Sequence, residues 1–218
     1  GQTVPISNNT VKRRPGRPRA ENATDIAEKL RAAASRVFAD FGFEAASIAQ
    51  IAKEAGVAPT AVYHHYGTKE ALWESVFLKV LKASYEHFEG VLFDRPLLGE
   101  ALKYFLGNST HMPADVRDSR EFLIRCAADM RAFPELQKYR HHRTNSQLHF
   151  FRGLADLGVR TGEVHPERDT EQVTELLRTI ILGHLWERYT HPDTANESSN
   201  NLLAILPDVL AVLGQPPK

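Results

Sequence analysis

Residues 47–70 read SIAQIAKEAGVAPTAVYHHYGTKE, and no other stretch limits the possible folds so tightly. Ser47 followed three residues later by Gln50 is a capping-box pattern, in which hydroxyl and amide satisfy each other's orphan backbone donors at a helix start. Ile48, Ile51, Ala52 and Ala55 then recur at helical spacing and give one apolar face. Gly56 falls where that helix must stop in a left-handed conformation, which a side chain would penalise. Pro59 suits the first turn of a second helix, where no backbone N–H is needed. Val62 is the apolar anchor that turns this helix back onto Ile51 and Ala55, and Ala52 is small enough to let the two helices approach. Thr68 is placed to cap a further helix beginning with Lys69 and Glu70.

The predicted layout is a helix-turn-helix, whose second helix is short, solvent-facing and free to enter a major groove. Its outward residues are Thr60, Ala61, Tyr63, His64 and His65, a set without carboxylates and able to touch phosphates and bases. The run Ala52–x–x–x–Gly56–Val57, then Val62–Tyr63–His64–His65–Tyr66, then Thr68–Lys69–Glu70–x–Leu72 resembles the DNA-binding domain of TetR-family transcriptional regulators. These motifs cover residues 24–75; the remainder is similar to the family in length and helical pattern. The resemblance implies an all-α fold, with an N-terminal three-helix helix-turn-helix domain and a larger C-terminal helical domain for ligand binding and dimerisation. It assigns phosphate contacts to Tyr63, His65 and Lys69, with a further contact from Ser47, and base-edge positions to Thr60, Ala61 and His64. An alanine offers a base only apolar contact, such as to a thymine methyl, so specificity would rest on Thr60 and His64. The chain departs from the family's usual serine cap and polar residue at Ala58 and Pro59, which leaves Pro59 without a base assignment. Tyr66 is expected to pack under the third helix.

Charge supports a DNA-facing front end. The 218 residues carry 27 Lys/Arg and 27 Asp/Glu, yet residues 1–80 hold 11 basic against 8 acidic residues (+3) and residues 81–218 hold 16 against 19 (−3). A basic end on an acidic body fits a DNA-contacting segment followed by a sensor or dimer domain. Hydrophobic content of 42% and charged content of 25% are ordinary for a soluble globular protein. The single cysteine, Cys126, excludes an internal disulfide and fits a reducing cytoplasm, the expected localisation. No apolar run precedes a cleavage site, and Leu202–Leu213, broken by Pro207 and Asp208, is too short to span a bilayer.

Three segments are expected: a basic arm disordered without DNA over 1–23, the helix-turn-helix domain over 24–70, and the larger domain over 71–218. The arm contains Lys12-Arg13-Arg14-Pro15-Gly16-Arg17-Pro18-Arg19. Its Gly16-Arg17-Pro18 centre looks like the core of an AT-hook: proline keeps the segment extended while glycine permits close approach to a narrow A·T-rich minor groove. Arg14, Arg17 and Arg19 are therefore candidate minor-groove residues, the alternative being a solvated basic tail. Thr24 is read as the cap of a helix Asp25–Phe41, which Gly42 ends. A long helix runs from Lys69 to Leu92, and the resemblance makes it the lever through which ligand alters the spacing of two reading heads. Further helices are predicted over Pro96–Ser109, Ala114–Phe133, Pro134–Leu157, Asp169–His191 and Asn201–Leu213, with loops over Gly158–Arg168 and Pro192–Asn200. No strand or internal repeat is evident. The basic run Lys138–Asn145 is either wholly solvated or a face from which one residue turns to a ligand.

In the larger domain the resemblance and an aromatic surplus together suggest a small-molecule pocket. Candidates are Phe88, Phe105, Phe122, Phe151 and Trp186, each of which could equally be core. Polar residues on apolar helices are better pointers: Arg125 and Asp129 lie one turn apart beside Cys126, and His184 sits in an apolar run. Arg125 and Asp129 form either a buried pair or an exposed helical salt bridge. Gly183 inside a helix costs about 1 kcal/mol relative to alanine but lets a partner helix approach. The last helix carries more apolar surface than one flank needs, and the resemblance implies a four-helix dimer seam using Ile180, Gly183, Leu202, Leu206, Val209 and Leu210. No metal or other cofactor is expected: the ten histidines include no i, i+4 pair, no HExxH and no partner cysteines. Cys126 lacks an activating pattern for nucleophilic catalysis. The function expected is a non-enzymatic, sequence-specific DNA-binding regulator. Its partners would be operator DNA, a second copy of the chain and a small-molecule effector that releases it as a repressor. The alternatives are an activator or ligand-independent factor of the same fold, and an all-helical enzyme.

Overall fold

The computed structural model describes residues 20–107 and 114–218, with side chains from 23 and from 118 onward. The described residues form nine α-helices and no strand, as the periodicity predicts. They are α1 (Ala20–Ala45), α2 (Ile48–Ala55), α3 (Pro59–Tyr66), α4 (Lys69–Asp94), α5 (Leu98–Leu106), α6 (Ala114–Ala132), α7 (Arg140–Thr161), α8 (Thr170–Thr190) and α9 (Ala195–Leu213). Short 3₁₀ segments, Pro134–Tyr139 and Pro192–Thr194, lead into α7 and α9.

The helix starts and stops show which local signals dominate. α1 begins at Ala20, earlier than the expected Thr24 cap and inside the segment expected to be arm, because Ala20, Glu21 and Ala23 all tolerate helix well. Its regular part ends at Gly42 (φ 79°, ψ 175°), a backbone region open essentially to glycine. α7 runs on to Thr161, so the expected loop from Gly158 starts only at Gly162. The Thr161 hydroxyl donates to the Leu157 carbonyl at 3.0 Å and holds this last turn together. α9 starts at Ala195 rather than Asn201; its first turns are polar outside, but Ala195 and Ser199 are buried against the body.

Two apolar cores result. The first joins α1, α2 and α3 to the N-terminal half of α4, to α6 and to the Pro134–Tyr139 segment. Trp73 stacks on Phe77 at 5.3 Å, with Phe122 and Tyr139 against its edges. The second core is built from the end of α4, α5, α7, α8 and α9. α6 therefore belongs with the helix-turn-helix as closely as with the rest of the molecule, which makes residue 70 a weak boundary in packing.

Candidate nucleic-acid interface

Each turn of the helix-turn-helix is fixed by a side chain or glycine chosen for its backbone chemistry. The Ser47 hydroxyl accepts from Gln50 N at 3.0 Å and starts α2. Gly56 adopts φ 71°, ψ 30° and closes it, with the Val57 N–H returning to the Ala52 carbonyl at 3.0 Å; this satisfies carbonyls that a helix end leaves orphaned. Pro59 opens α3, and Ala58 supplies no side-chain cap. Thr68 Oγ1 accepts from Ala71 N at 3.0 Å and starts α4. Val62 is buried against the first core with Ile51 and Ala52. The Tyr66 hydroxyl donates to the Ala27 carbonyl at 2.9 Å, and its half-buried ring packs against the first core.

With Val62 and Tyr66 turned inward, α3 presents Thr60, Tyr63 and His64 to solvent, Tyr63 with 57% of its surface exposed. Ala61 and His65 are half-buried beside them, and the two histidine rings meet edge-on at 5.4 Å. No carboxylate lies on α3, so nothing on this helix repels a phosphate. Ser47 is exposed at the start of α2. The Lys69 ammonium donates to the carbonyls of Glu44 (3.0 Å) and Ala46 (3.3 Å) and sits 4.7 Å from the Phe43 ring centre. It ties the start of α4 to the end of α1, and an ammonium has a third proton to give to a phosphate at that place. Arg14, Arg17 and Arg19 lie outside the described residues.

Behind this face, α6 holds the turn at the end of α1. Arg125 Nη2 donates to the Phe41 carbonyl at 3.2 Å, and the Asp129 carboxylate accepts from Phe43 N at 3.0 Å. Asp129 is buried, 6% exposed; burial raises its carboxyl above the usual range, against the pull of the Phe43 hydrogen bond and the Arg125 and Lys69 charges. The Tyr189 hydroxyl adds a bond from α8 to the Ala39 carbonyl at 3.2 Å. Lys138 pairs with Glu70 at 2.8 Å on the surface.

A narrow cavity of about 70 Å³ lies between α4, α6, α7 and α8. Phe88 and Phe151 line it as the sequence suggested, and Phe105 packs behind Phe88 with ring centres 5.3 Å apart. The other expected pocket residues are elsewhere. Phe122 and Cys126 are sealed in the first core, where burial pushes the Cys126 thiol up to about 12. Arg125 and Asp129 serve the turn at Gly42. His184 is buried with Ser199, and the half-buried Arg188 donates from Nη2 to Ser199 Oγ at 2.7 Å and to the Gly107 carbonyl at 3.0 Å. Trp186 is exposed on α8. Helical periodicity marks an inward face but not which of two cores it meets. The cavity residues missed were Tyr85, Arg120, Arg143, Ser146, Gln147 and Phe150. Arg143 lies within the basic run read mainly as solvated, and it alone of that run reaches the cavity wall.

On α8 and α9, Gly183 is exposed and Ile180, Leu202 and Val209 are half-buried, but Leu206 points into the second core and Leu210 packs over Gly99 of α5. The apolar residues facing out on these helices are Leu176, Ile205 and Val212, with Trp186. No described helix is long and apolar enough to cross a membrane.

Comparison with known proteins agrees with this geometry. Residues 30–76 match the family model described as bacterial regulatory proteins, tetR family. The chain is 23% identical over 171 residues to the HTH-type transcriptional regulator UidR of Escherichia coli, covering 77% of this chain and 83% of that one. It is 24% identical over 181 residues to the fatty acid metabolism regulator protein of Bacillus subtilis, covering 83% and 90%. Among solved structures, a TetR-family transcriptional regulator from Agrobacterium tumefaciens superposes with a TM-score of 0.72 at 14% identity, over 88% of this chain and 99% of that one.

Proposed function

We propose that the chain is a DNA-binding transcriptional regulator of the TetR type, a cytoplasmic homodimeric repressor released from its operator by a small molecule; the match of residues 30–76 to the family model and the exposed, carboxylate-free α3 support this. The helix α3 would read the major groove through Thr60, Ala61 and His64, with Tyr63, His65, Lys69 and Ser47 on phosphates, and the basic arm would lie in the flanking minor groove. Two copies would pair through the outer faces of α8 and α9, placing two α3 helices at successive major-groove turns about 34 Å apart.

The observation that carries the ligand-responsive part is the double duty of α6. Arg120, Leu123 and Ile124 form part of the cavity wall, while Arg125 and Asp129 on the same helix grip the Phe41–Phe43 turn. A molecule that displaces α6 from inside therefore displaces α1 and the reading helix with it. To act as a switch it must bind the displaced conformer more tightly than the DNA-competent one. Footprinting of the operator relative to its promoter tests repression: overlap of the two supports it, and an upstream site at which the protein raises transcription contradicts it. An all-helical enzyme built on Cys126 is disfavoured, since a buried thiol held near 12 supplies no thiolate.

A further inference from the structure

We infer that the effector is an organic carboxylate with a slim apolar body, its carboxylate received by Arg143. This rests on the reading of the cavity as an effector site and deepens it. The cavity wall is mostly apolar and aromatic, with Phe88, Phe150, Phe151, Leu182 and Leu185 among its residues, yet Arg120 and Arg143 stand on it and no Asp or Glu does. Positive charge drawn into an apolar wall without an acidic residue in that wall favours an anion as the occupant. A neutral ligand would cover the Arg143 guanidinium without meeting its charge.

The geometry of Arg143 shows how the head group would be received. Its Nε donates to the Leu123 carbonyl at 3.4 Å, a long bond. The Gln147 amide, with its oxygen toward the guanidinium, accepts from Nη1 at 3.0 Å and Nη2 at 3.1 Å. A guanidinium has five N–H donors; the Leu123 carbonyl takes the Nε proton and the Gln147 oxygen one proton from each Nη, and the Cys126 sulfur also lies against the group, so the protons left on the two Nη atoms point to opposite edges and a carboxylate would be met by one of them. Ser146, one turn before Phe150 on α7, places a hydroxyl on the same wall. Leu123 belongs to α6, so a carboxylate that draws Arg143 toward itself strains the 3.4 Å bond and pulls on the helix that grips α1 through Arg125 and Asp129. The charge that recognises the ligand is thereby attached to the element that must move.

The test uses the full-length protein with four probes, decanoate and 4-phenylbutyrate beside decanol and 4-phenylbutanol, titrated calorimetrically. At least one acid is expected to bind about tenfold or more tightly than its alcohol, equivalent to about 1.4 kcal/mol. The Arg143→Gln variant should bring acid and alcohol within about threefold, equivalent to about 0.7 kcal/mol, with alcohol affinity retained, and Arg143→Lys should restore part of the preference. Retained alcohol binding and an unchanged circular dichroism spectrum guard against simple misfolding of either variant. Equal affinity for acid and alcohol, no binding by either acid, or an acid preference that survives Arg143→Gln would each overturn the assignment. Operator binding by the unliganded protein is measured in the same preparation, so that failure of the regulator reading registers separately from failure of the ligand class.

Discussion

Alanine at position 42 strikes the turn through which α6 holds α1. Gly42 adopts φ 79°, ψ 175°, a region that costs a residue with a side chain roughly 1–3 kcal/mol. A Cβ there would lie 2.7 Å from Arg125 Nη2 and 3.1 Å from Asp129 Oδ1. The arginine can swing away, but doing so gives up its bond to the Phe41 carbonyl, worth about 1 kcal/mol. The carboxylate has less freedom, being buried and engaged by Phe43 N. Gly42→Ala should therefore destabilise the protein by about 3 kcal/mol, lowering the thermal midpoint by roughly 6–12 °C for a chain of this size. Circular dichroism melting of both proteins measures it. In an Arg125→Ala background the same substitution should cost about 1 kcal/mol less, because the displaced partner is already gone. A midpoint within about 2 °C of the parent, or full additivity of the two substitutions, would refute the account of this junction.

Four other outcomes are expected. Tyr63→Ala and His64→Ala should leave stability within about 0.5 kcal/mol because both side chains are exposed. His64→Ala should also relax base preference at one operator position by about 1–3 kcal/mol, read by binding to single-base operator variants. Arg17→Ala should lower the log–log salt slope of operator affinity by about 0.9, whereas an unchanged slope would place the arm off the DNA. His184 is held down from 6.5 to about 4 by burial and by the charges of Arg188 and Arg120. Between those values the unfolded chain binds a proton that the folded chain refuses, so its contribution is full above pH 6.5 and is lost as pH falls. The loss should reach about 2 kcal/mol at pH 5, with a smaller decline in His184→Asn, as paired melts at about pH 7.5 and 5 would show. Finally, Cys126, buried with its thiol near 12, should resist thiol reagents in the native protein and react only on unfolding.

The sequence was most legible where structure is decided within a few residues. Ser47, Gly56, Pro59 and Thr68 each perform at the backbone the task that their chemistry suggests, because caps and left-handed stops depend on near neighbours alone. Legibility fell where a partner is distant in sequence. Arg125 and Asp129 looked like a pair one turn apart, yet each reaches more than 80 residues back to the Phe41–Phe43 turn. Phe122 and Cys126 share the inward face of α6, but only the tertiary arrangement shows that this face meets Trp73 and Phe77 instead of the cavity. Arg143 was hidden among exposed basic neighbours, since composition cannot say which residue of a solvated run turns inward. On α9, the apolar count suggested an interface; Leu206 and Leu210 pack against the protein's own core, and Ile205 and Val212 face outward.

The central claim is that α3 reads DNA as one of a symmetric pair and that a cavity ligand undoes this. Its most direct test is selection of bound duplexes from a random pool by the full-length protein, followed by titration of the enriched duplex with the parent and with Tyr63→Ala/His64→Ala, in the presence and absence of decanoate. A two-fold symmetric site with half-sites about one helical turn apart is expected, bound by the parent, lost in the double variant and weakened by the acid. Weak, steeply salt-dependent binding with no enriched sequence, unchanged in the double variant, would contradict it.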